Sequence, residues 1–497
     1  MSNFDFIGAR HVGRLGFVLL ALGLWIPFIR ADSPAVDPIE GTWMGSVTAP
    51  QGDAQIGFRF ARNAHGDLNF SLYFPLMNTF GATFDVPVTR SGAHYSEPVL
   101  KSQLNLDGDQ LKGTFGPGKL PMVLTRGGTF APAPPPPVYP AAPTVAWRQS
   151  LGAPTWASPV YVEGTVYVGN NKGLFFSIDG TDGKIRWTWT GPNRIDGKAV
   201  VADGALYFVD GKNDLVCLDA ASGVLRWRSA LYDEKRAGKP LAENPTFNRR
   251  TATPRVEGKQ VLCGSADGGL YSLDAATGRV KWRFEAGAPI FSGIGNFGPN
   301  QVTFGTMDGS VVAVDLAHQT EVYRAKTGGG VVTTPIMAGD MILAGSRDYF
   351  LYAFRASDRT VAWRFSYWFS WVESTGALRD GIYYVGASDY RRVIAFEPTS
   401  GRTLWATDVG GMDWGTPLVT GKSVFIGTVA QNIPGTAIVH RGGIMALDRS
   451  TGKPRWQLPA APAPENGFGG YAGSLATDGK RIFAAGFDGD LIALPAE

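Results

Sequence analysis

The sequence predicts an all-β protein: an eight-bladed β-propeller with four-stranded blades, preceded by a small antiparallel β-barrel or sandwich. Three observations predict it. Glycine (65) and proline (33) form about a fifth of the 497 residues, against roughly 12% in an average chain. A short phrase ending in Trp or Tyr returns every 40 to 55 residues from residue 144 onward. The first and last pieces of that array are complementary halves of one copy. Hydrophobic residues at 44% and aromatics at 12% exclude a disordered chain, and only 18% are charged. With a formal net charge of +3, the chain lacks the basic stripe of a nucleic-acid binder.

Residues 1–35 read as a secretory signal. Arg10 and Arg14 precede an apolar run from Leu15 to Ile29 interrupted only by Pro27, with cleavage expected near Ala31 or Ala35. A membrane-spanning helix needs about 20 apolar residues, so a retained anchor is the weaker reading, and no later run is long enough to span a bilayer. The mature chain is therefore expected in the periplasm or outside the cell. Cys217 and Cys263 belong to no CxxC or CxxCH pattern, which removes a zinc ribbon and a covalent haem. An oxidising compartment permits them to pair, and two small buried thiols serve equally well.

Residues 36–130 alternate as short strands, among them Gln55-Ile-Gly-Phe-Arg-Phe60 and Leu68-Asn-Phe-Ser-Leu-Tyr-Phe74, enough to close a small barrel or sandwich. The opening GTWMGSV and closing LPMVLTR resemble a β-barrel module found ahead of some secreted hydrolases, yet no G-x-S-x-G nucleophile elbow follows. Segment 131–143, APAPPPPVYPAAP, reads as a stiff polyproline linker to the propeller at 144–497.

The repeated phrase is Ser177-Ile-Asp-Gly-Thr-Asp-Gly-Lys-Ile-Arg-Trp187, with further copies ending at Trp227, Trp282, Tyr323, Trp363, Trp405 and Trp456. The spacings are 40, 55, 41, 40, 42 and 51 residues, the period of a four-stranded blade. Asp-x-x-Thr-Gly makes the turn between third and fourth strands: Asp caps backbone N–H groups and Gly supplies positive φ. The Trp then lies between neighbouring blades, and the residue before the apolar-Asp pair must be small; Cys217 holds that position. The chain finishes with the first half of a copy, Leu491-Ile-Ala-Leu, and the array starts with the second half, Val145-Ala-Trp147-Arg. Splicing them makes the eighth blade and leaves no open edge.

This motif resembles the tryptophan-docking repeat of the pyrroloquinoline-quinone (PQQ) type propellers over essentially all of 144–497. The resemblance implies the fold more than the activity, because the family holds quinoprotein dehydrogenases and also cofactor-free relatives. Among the latter is the periplasmic propeller lipoprotein that helps assemble outer-membrane proteins. The dehydrogenases carry adjacent cysteines over the quinone, and no Cys-Cys occurs here. They also hold a metal with Glu, Asn and Asp and use a catalytic Asp, a constellation that the sequence does not place.

Propeller connectivity puts the long segments 229–252, 428–443 and 457–472 on one face. Inner strands open with Ser158-Pro159, Thr253-Pro254, Thr334-Pro335 and Thr416-Pro417, so residues just before them ring the channel mouth. That ring contains Trp156, Arg194, Asp196, Arg249, Arg250, Phe291, Glu373, Trp414 and Tyr471, with Trp371 and Asp413 close by. Arginines and aromatics in a concave mouth suit a planar anionic ligand, and PQQ is one. The plainer alternative is acid and Arg side chains neutralising one another around a wet channel. Tyr367-Trp-Phe-Ser-Trp371 is a further aromatic cluster, suited to stacking, to a partner's anchor or to covering the core. The five histidines are scattered without metal-binding spacing, and Asp267-Gly268, Asp308-Gly309 and Asp488-Gly489 read as hairpin turns.

The leading expectation is an exported binding or scaffold protein that engages an unknown protein or small anionic, planar ligand through the loop face, with no cofactor. The alternative is a quinoprotein alcohol or sugar oxidoreductase using PQQ with calcium. There Arg194, Arg249 or Arg250 would hold the quinone carboxylates, and Trp156 or Trp414 would stack. Asp196, Glu373 or Asp413 would serve as base or metal ligand.

Overall fold

Eight antiparallel sheets of four strands follow one another along the chain, at 160–190, 200–230, 255–285, 295–326, 336–366, 377–408 and 418–459 for blades one to seven. The eighth combines Ala476–Thr477, Arg481–Ala485 and Asp490–Pro495 with Trp147–Ser150 as its outermost strand. In that splice Trp147 pairs with Ala493 and Ser150 with Asp490. The computed structural model describes residues 36–135, 137–238, 241, 251–431, 440–465 and 467–496. It divides into two compact units, 1–40 and 41–497. Of the first, only 36–40 are described, a turn in which the Asp37 N–H donates to Glu40 Oε1 (2.8 Å). The expected signal and its cleavage site lie outside the described residues. Among the described residues no helix is long and apolar enough to cross a membrane.

One geometry explains the repeated phrase. In every blade the docking aromatic stands directly across from a small residue: Ser177 opposite Trp187, Cys217 opposite Trp227, Ala395 opposite Trp405, Ala493 opposite Trp147. In blades one to seven the register slips at that small residue, a bulge that bends the outer strand. The indole N–H then donates to a turn carbonyl of the next blade: Trp147 to Gly180 (3.2 Å), Trp187 to Ala220 (3.1 Å), Trp227 to Ala275 (3.0 Å), Trp363 to Pro398 (2.8 Å) and Trp405 to Arg449 (3.0 Å). The Asp of the turn does its expected work: Asp448 Oδ1 accepts from the backbone and hydroxyls of Ser450 and Thr451. Both cysteines are free and buried in the core between blades two and three.

Ahead of the propeller, nine strands between Gly41 and Arg126 form one antiparallel sheet. Phe58, Phe60 and Phe70 alternate onto its buried face. The sheet curls on itself, because Phe74 and Phe115, from strands far apart in the sheet, meet edge to face at 5.4 Å. This curled sheet rests on blades five and six. Gln51 donates to the Ser366 carbonyl (2.8 Å) and accepts from its N–H (3.1 Å), Asn78 donates to Asp408 (2.7 Å), and Phe74 meets Trp368 (5.3 Å). The linker does not hold the two parts at a distance. Gln457 donates to the Pro140 carbonyl (2.9 Å) and accepts from the Ala142 N–H (3.2 Å), fastening the linker alongside the outer strand of blade seven.

Candidate functional site

The inner strands enclose a central cavity of about 410 Å³. The Ser/Thr-Pro hydroxyl residues Ser158, Thr253, Thr334 and Thr416 line it. They and their neighbours bond between blades: the Ser474 N–H donates to Ser158 (2.9 Å), the Thr416 N–H to Ser474 (2.8 Å) and the Thr334 N–H to Thr375 (3.0 Å). Glycines make this possible, for a Cβ on Gly293 would stand 2.4 Å from the Thr334 hydroxyl. Of the expected ring, Trp156, Asp196, Phe291, Glu373 and Trp414 line this cavity.

Two carboxylates at the mouth are paired within the chain, whereas Lys198, which also lines the cavity, has its amine lowered by burial alone. Arg194 donates to Asp196 at 2.5 Å, two residues along. Arg347 donates to Glu373 at 2.7 Å and lies over the Trp371 ring at 4.8 Å. Trp156 and Trp414 stack on each other, centroids 5.3 Å apart and planes 21° apart, with Phe468 and Phe487 against their edges.

Trp371 faces a second cavity, of about 400 Å³, between the curled sheet and blades five to seven. Glu373 and Trp414 line both cavities and form the partition between them. Asp413 lines neither. It is wholly buried behind Gly386, where a Cβ would stand 1.8 Å from its Oδ2. Burial holds its carboxyl well above the carboxylate range, and the Gly415 N–H, outside hydrogen-bond geometry, offsets this only in part. Tyr471 is buried between blades seven and eight, where burial raises its phenol. Its backbone N–H donates to the Thr428 carbonyl (3.0 Å) just beyond a pairing of Val429–Gln431 with Phe468–Gly470, so two of the long segments bind each other. Arg249 and Arg250 lie outside the described residues.

Sequence reasoning missed Arg347 and Tyr349. A signal was present: blades three, four and eight turn through Asp-Gly, whereas blade five has Asp348-Tyr349. Tyr349 takes φ +75°, where those three blades use Gly268 (+88°), Gly309 (+86°) and Gly489 (+81°); Asn213 (+66°) and Arg391 (+54°) take such angles in blades two and six. It stacks on Phe369 (5.5 Å, 18°) at the floor of the second cavity.

The family relation raises PQQ with calcium. The two candidate stacking indoles contact each other rather than leaving a slot, and Arg194 and Arg347 each engage a carboxylate. Among the described residues no three His, Cys, Asp or Glu side chains converge as a metal group. As arranged, these residues do not fit a quinone–metal site, and no reaction step is derived through one.

Comparison with known proteins matches the sequence to the family described as "Outer membrane protein assembly factor BamB" in overlapping stretches, 139–230, 188–317, 289–368 and 369–497. BamB of Burkholderia pseudomallei is 23% identical over 254 residues, 46% of this chain and 65% of that protein. The dehydrogenase subunit of a quinone alcohol dehydrogenase from Gluconacetobacter polyoxogenes is 27% identical over 145 residues, 26% of this chain and 19% of that protein. The matched stretches thus span less than two thirds of these curated relatives. Among solved structures, the quinohemoprotein alcohol dehydrogenase of Comamonas testosteroni superposes with a TM-score of 0.52 at 15% identity, covering 70% of this chain and 76% of that one. That likeness speaks to the fold.

Proposed function

The chain belongs to the family of the outer membrane protein assembly factor BamB, and from that premise we propose that it is an exported scaffold protein of outer-membrane protein assembly. In this reading it binds protein partners through the loop face of its propeller, in the periplasm. The observation that carries the reading is the pairing at the mouth: Arg194 with Asp196, Arg347 with Glu373, Trp156 on Trp414. Side chains fixed by one another give the loop face a preformed centre, which lowers the ordering cost of binding a partner around it. The curled sheet, docked over blades five and six, extends that surface as a second recognition module.

The quinoprotein reading draws on the short match to alcohol dehydrogenases and is separable by experiment. The purified chain is titrated with PQQ and calcium, and in parallel with an unfolded outer-membrane β-barrel precursor and with the host's assembly machinery. The scaffold reading expects saturable binding to the precursor or the machinery, weakened by substitutions on the loop face, and no saturable quinone binding. Dye reduction with an alcohol or sugar that depends on PQQ and is lost in Asp196→Ala or Glu373→Ala would overturn it.

A further inference from the structure

The cavity beneath the curled sheet has two unlike sides. The sheet contributes apolar groups, among them Leu72, Phe74, Leu100 and Phe115. The propeller contributes aromatic rings, Tyr349, Phe369, Trp371 and Trp414, together with the carboxylates of Glu373 and Asp389. At about 400 Å³ it falls within the usual range, roughly 300–1,000 Å³, for small-molecule sites.

The charge on the propeller side is incompletely balanced. Glu373 is engaged by Arg347 (2.6 Å), while Asp389 keeps 49% of its side-chain surface accessible. The nearest ion-pair candidate for Asp389 is His440 Nε2 at 3.9 Å, and burial lowers that imidazole to about 4, so it is neutral at pH 7. Arg391 also acts on Asp389, but its guanidinium faces Asp408 at 4.0 Å. Burial, the largest influence, and the nearby Glu373 raise the Asp389 carboxyl, a Ser388 hydrogen bond lowers it, and a cation beside it would favour its charged form. A carboxylate beside π-faces in an otherwise apolar chamber is complementary to a cation with an apolar body. The floor is also conformationally unusual: Tyr349 holds a left-handed φ, uncommon for a bulky residue, with its ring stacked in this wall.

We propose that the chamber between the curled sheet and blades five to seven binds a small amphiphilic amine, its apolar body against the sheet and its ammonium head at Asp389 and the aromatic floor. The site shares the Glu373 and Trp414 wall with the channel mouth, while Asp389 and the sheet residues belong to the chamber alone. It lies under the sheet rather than on the loop face, and its occupant is a small molecule rather than a protein.

The test is calorimetric titration of the full chain with decylammonium, decanol and decanoate below their micelle concentrations. Decylammonium binds saturably at one site, about tenfold tighter than decanol, the difference one charge-assisted hydrogen bond makes, and decanoate binds weakest. Asp389→Asn removes the preference for the amine and leaves decanol binding unchanged. Val99→Trp, at a half-buried wall position, weakens both while the melting temperature stays near that of the wild type. Absence of saturable amine binding, decanoate binding as tight as the amine, or an undiminished amine preference in Asp389→Asn overturns the proposal. Loss of outer-membrane partner binding would leave these outcomes untouched.

Discussion

The indole of Trp227 lies so close to Gly278 of the next blade that a Cβ on that glycine would stand 2.6 Å from the ring. The same contact joins Trp147 to Gly183, Trp187 to Gly223, Trp363 to Gly401 and Trp405 to Gly452, at 2.5–2.7 Å. The turn glycine thus serves twice: it takes positive φ, and it leaves the flat space that the preceding blade's Trp fills. Gly278→Ala is expected to destabilise by about 2–4 kcal/mol, combining left-handed strain with overpacking. Gly258→Ala, at φ +58° with nothing within 4 Å, is expected to cost only about 1 kcal/mol. Denaturant unfolding of the two variants checks this difference, and equal losses would mean that the indole contact contributes nothing.

The thiols are expected to be inert in the folded protein. Burial pushes Cys217 up to about 11 and raises Cys263 further, and both are free. Neither should react with a maleimide at pH 8 in native buffer, and both should react in guanidinium. Mobility on a gel should not depend on reductant.

Asp413 should make stability fall with rising pH. Its folded pKa is raised by burial above the unfolded value, so its contribution is fully present below about pH 4 and is lost as pH rises through the folded value. Asp413→Asn removes this slope, so its stability relative to wild type should improve as pH rises above about 4, levelling off once the folded value is passed. Parallel pH profiles of the two proteins would refute the assignment.

Asp448 acts in the opposite sense. Hydrogen bonds from Ser450 and Thr451 lower it to about 2, so its stabilisation is present above the unfolded pKa near 4 and is lost as pH falls through 2. Asp448→Asn is expected to lose about 1 kcal/mol at pH 7, typical of a lost capping carboxylate, and to match wild type only below pH 2. Thermal melts across that acid range are the measurement.

Docking of the curled sheet should depend on Trp368, which is buried against Phe74. Trp368→Ala is expected to speed proteolysis within the proline-rich segment 131–138 several-fold while the propeller melts at nearly the wild-type temperature. Unchanged cleavage would show that the Gln51 and Asn78 hydrogen bonds suffice.

The blade count was legible because the Trp phrase marks each blade once and its spacing has a single structural meaning; Trp147 and Leu491 even revealed the splice. The channel ring was partly legible, since Trp156, Asp196 and Glu373 precede inner strands, which border the channel. Tyr471 went inward because Phe468–Gly470 pairs with Val429–Gln431, a contact between two insertions that no repeat encodes. The place of Trp371 was hidden for a different reason. Periodicity within the propeller carries no information about which loops the preceding module covers, so the chamber between them is invisible until both are folded.

Closure of the eighth sheet also sets a timetable. Trp147 waits for Ala493, 346 positions later, before the strand pairing them can form. Loop closure over that distance is slow compared with pairing inside a blade. A chain emerging during synthesis therefore carries open sheet faces until residues 490–495 arrive. A nonsense or frameshift lesion between residues 475 and 490 should behave as a quality-control substrate rather than as a shortened, working protein.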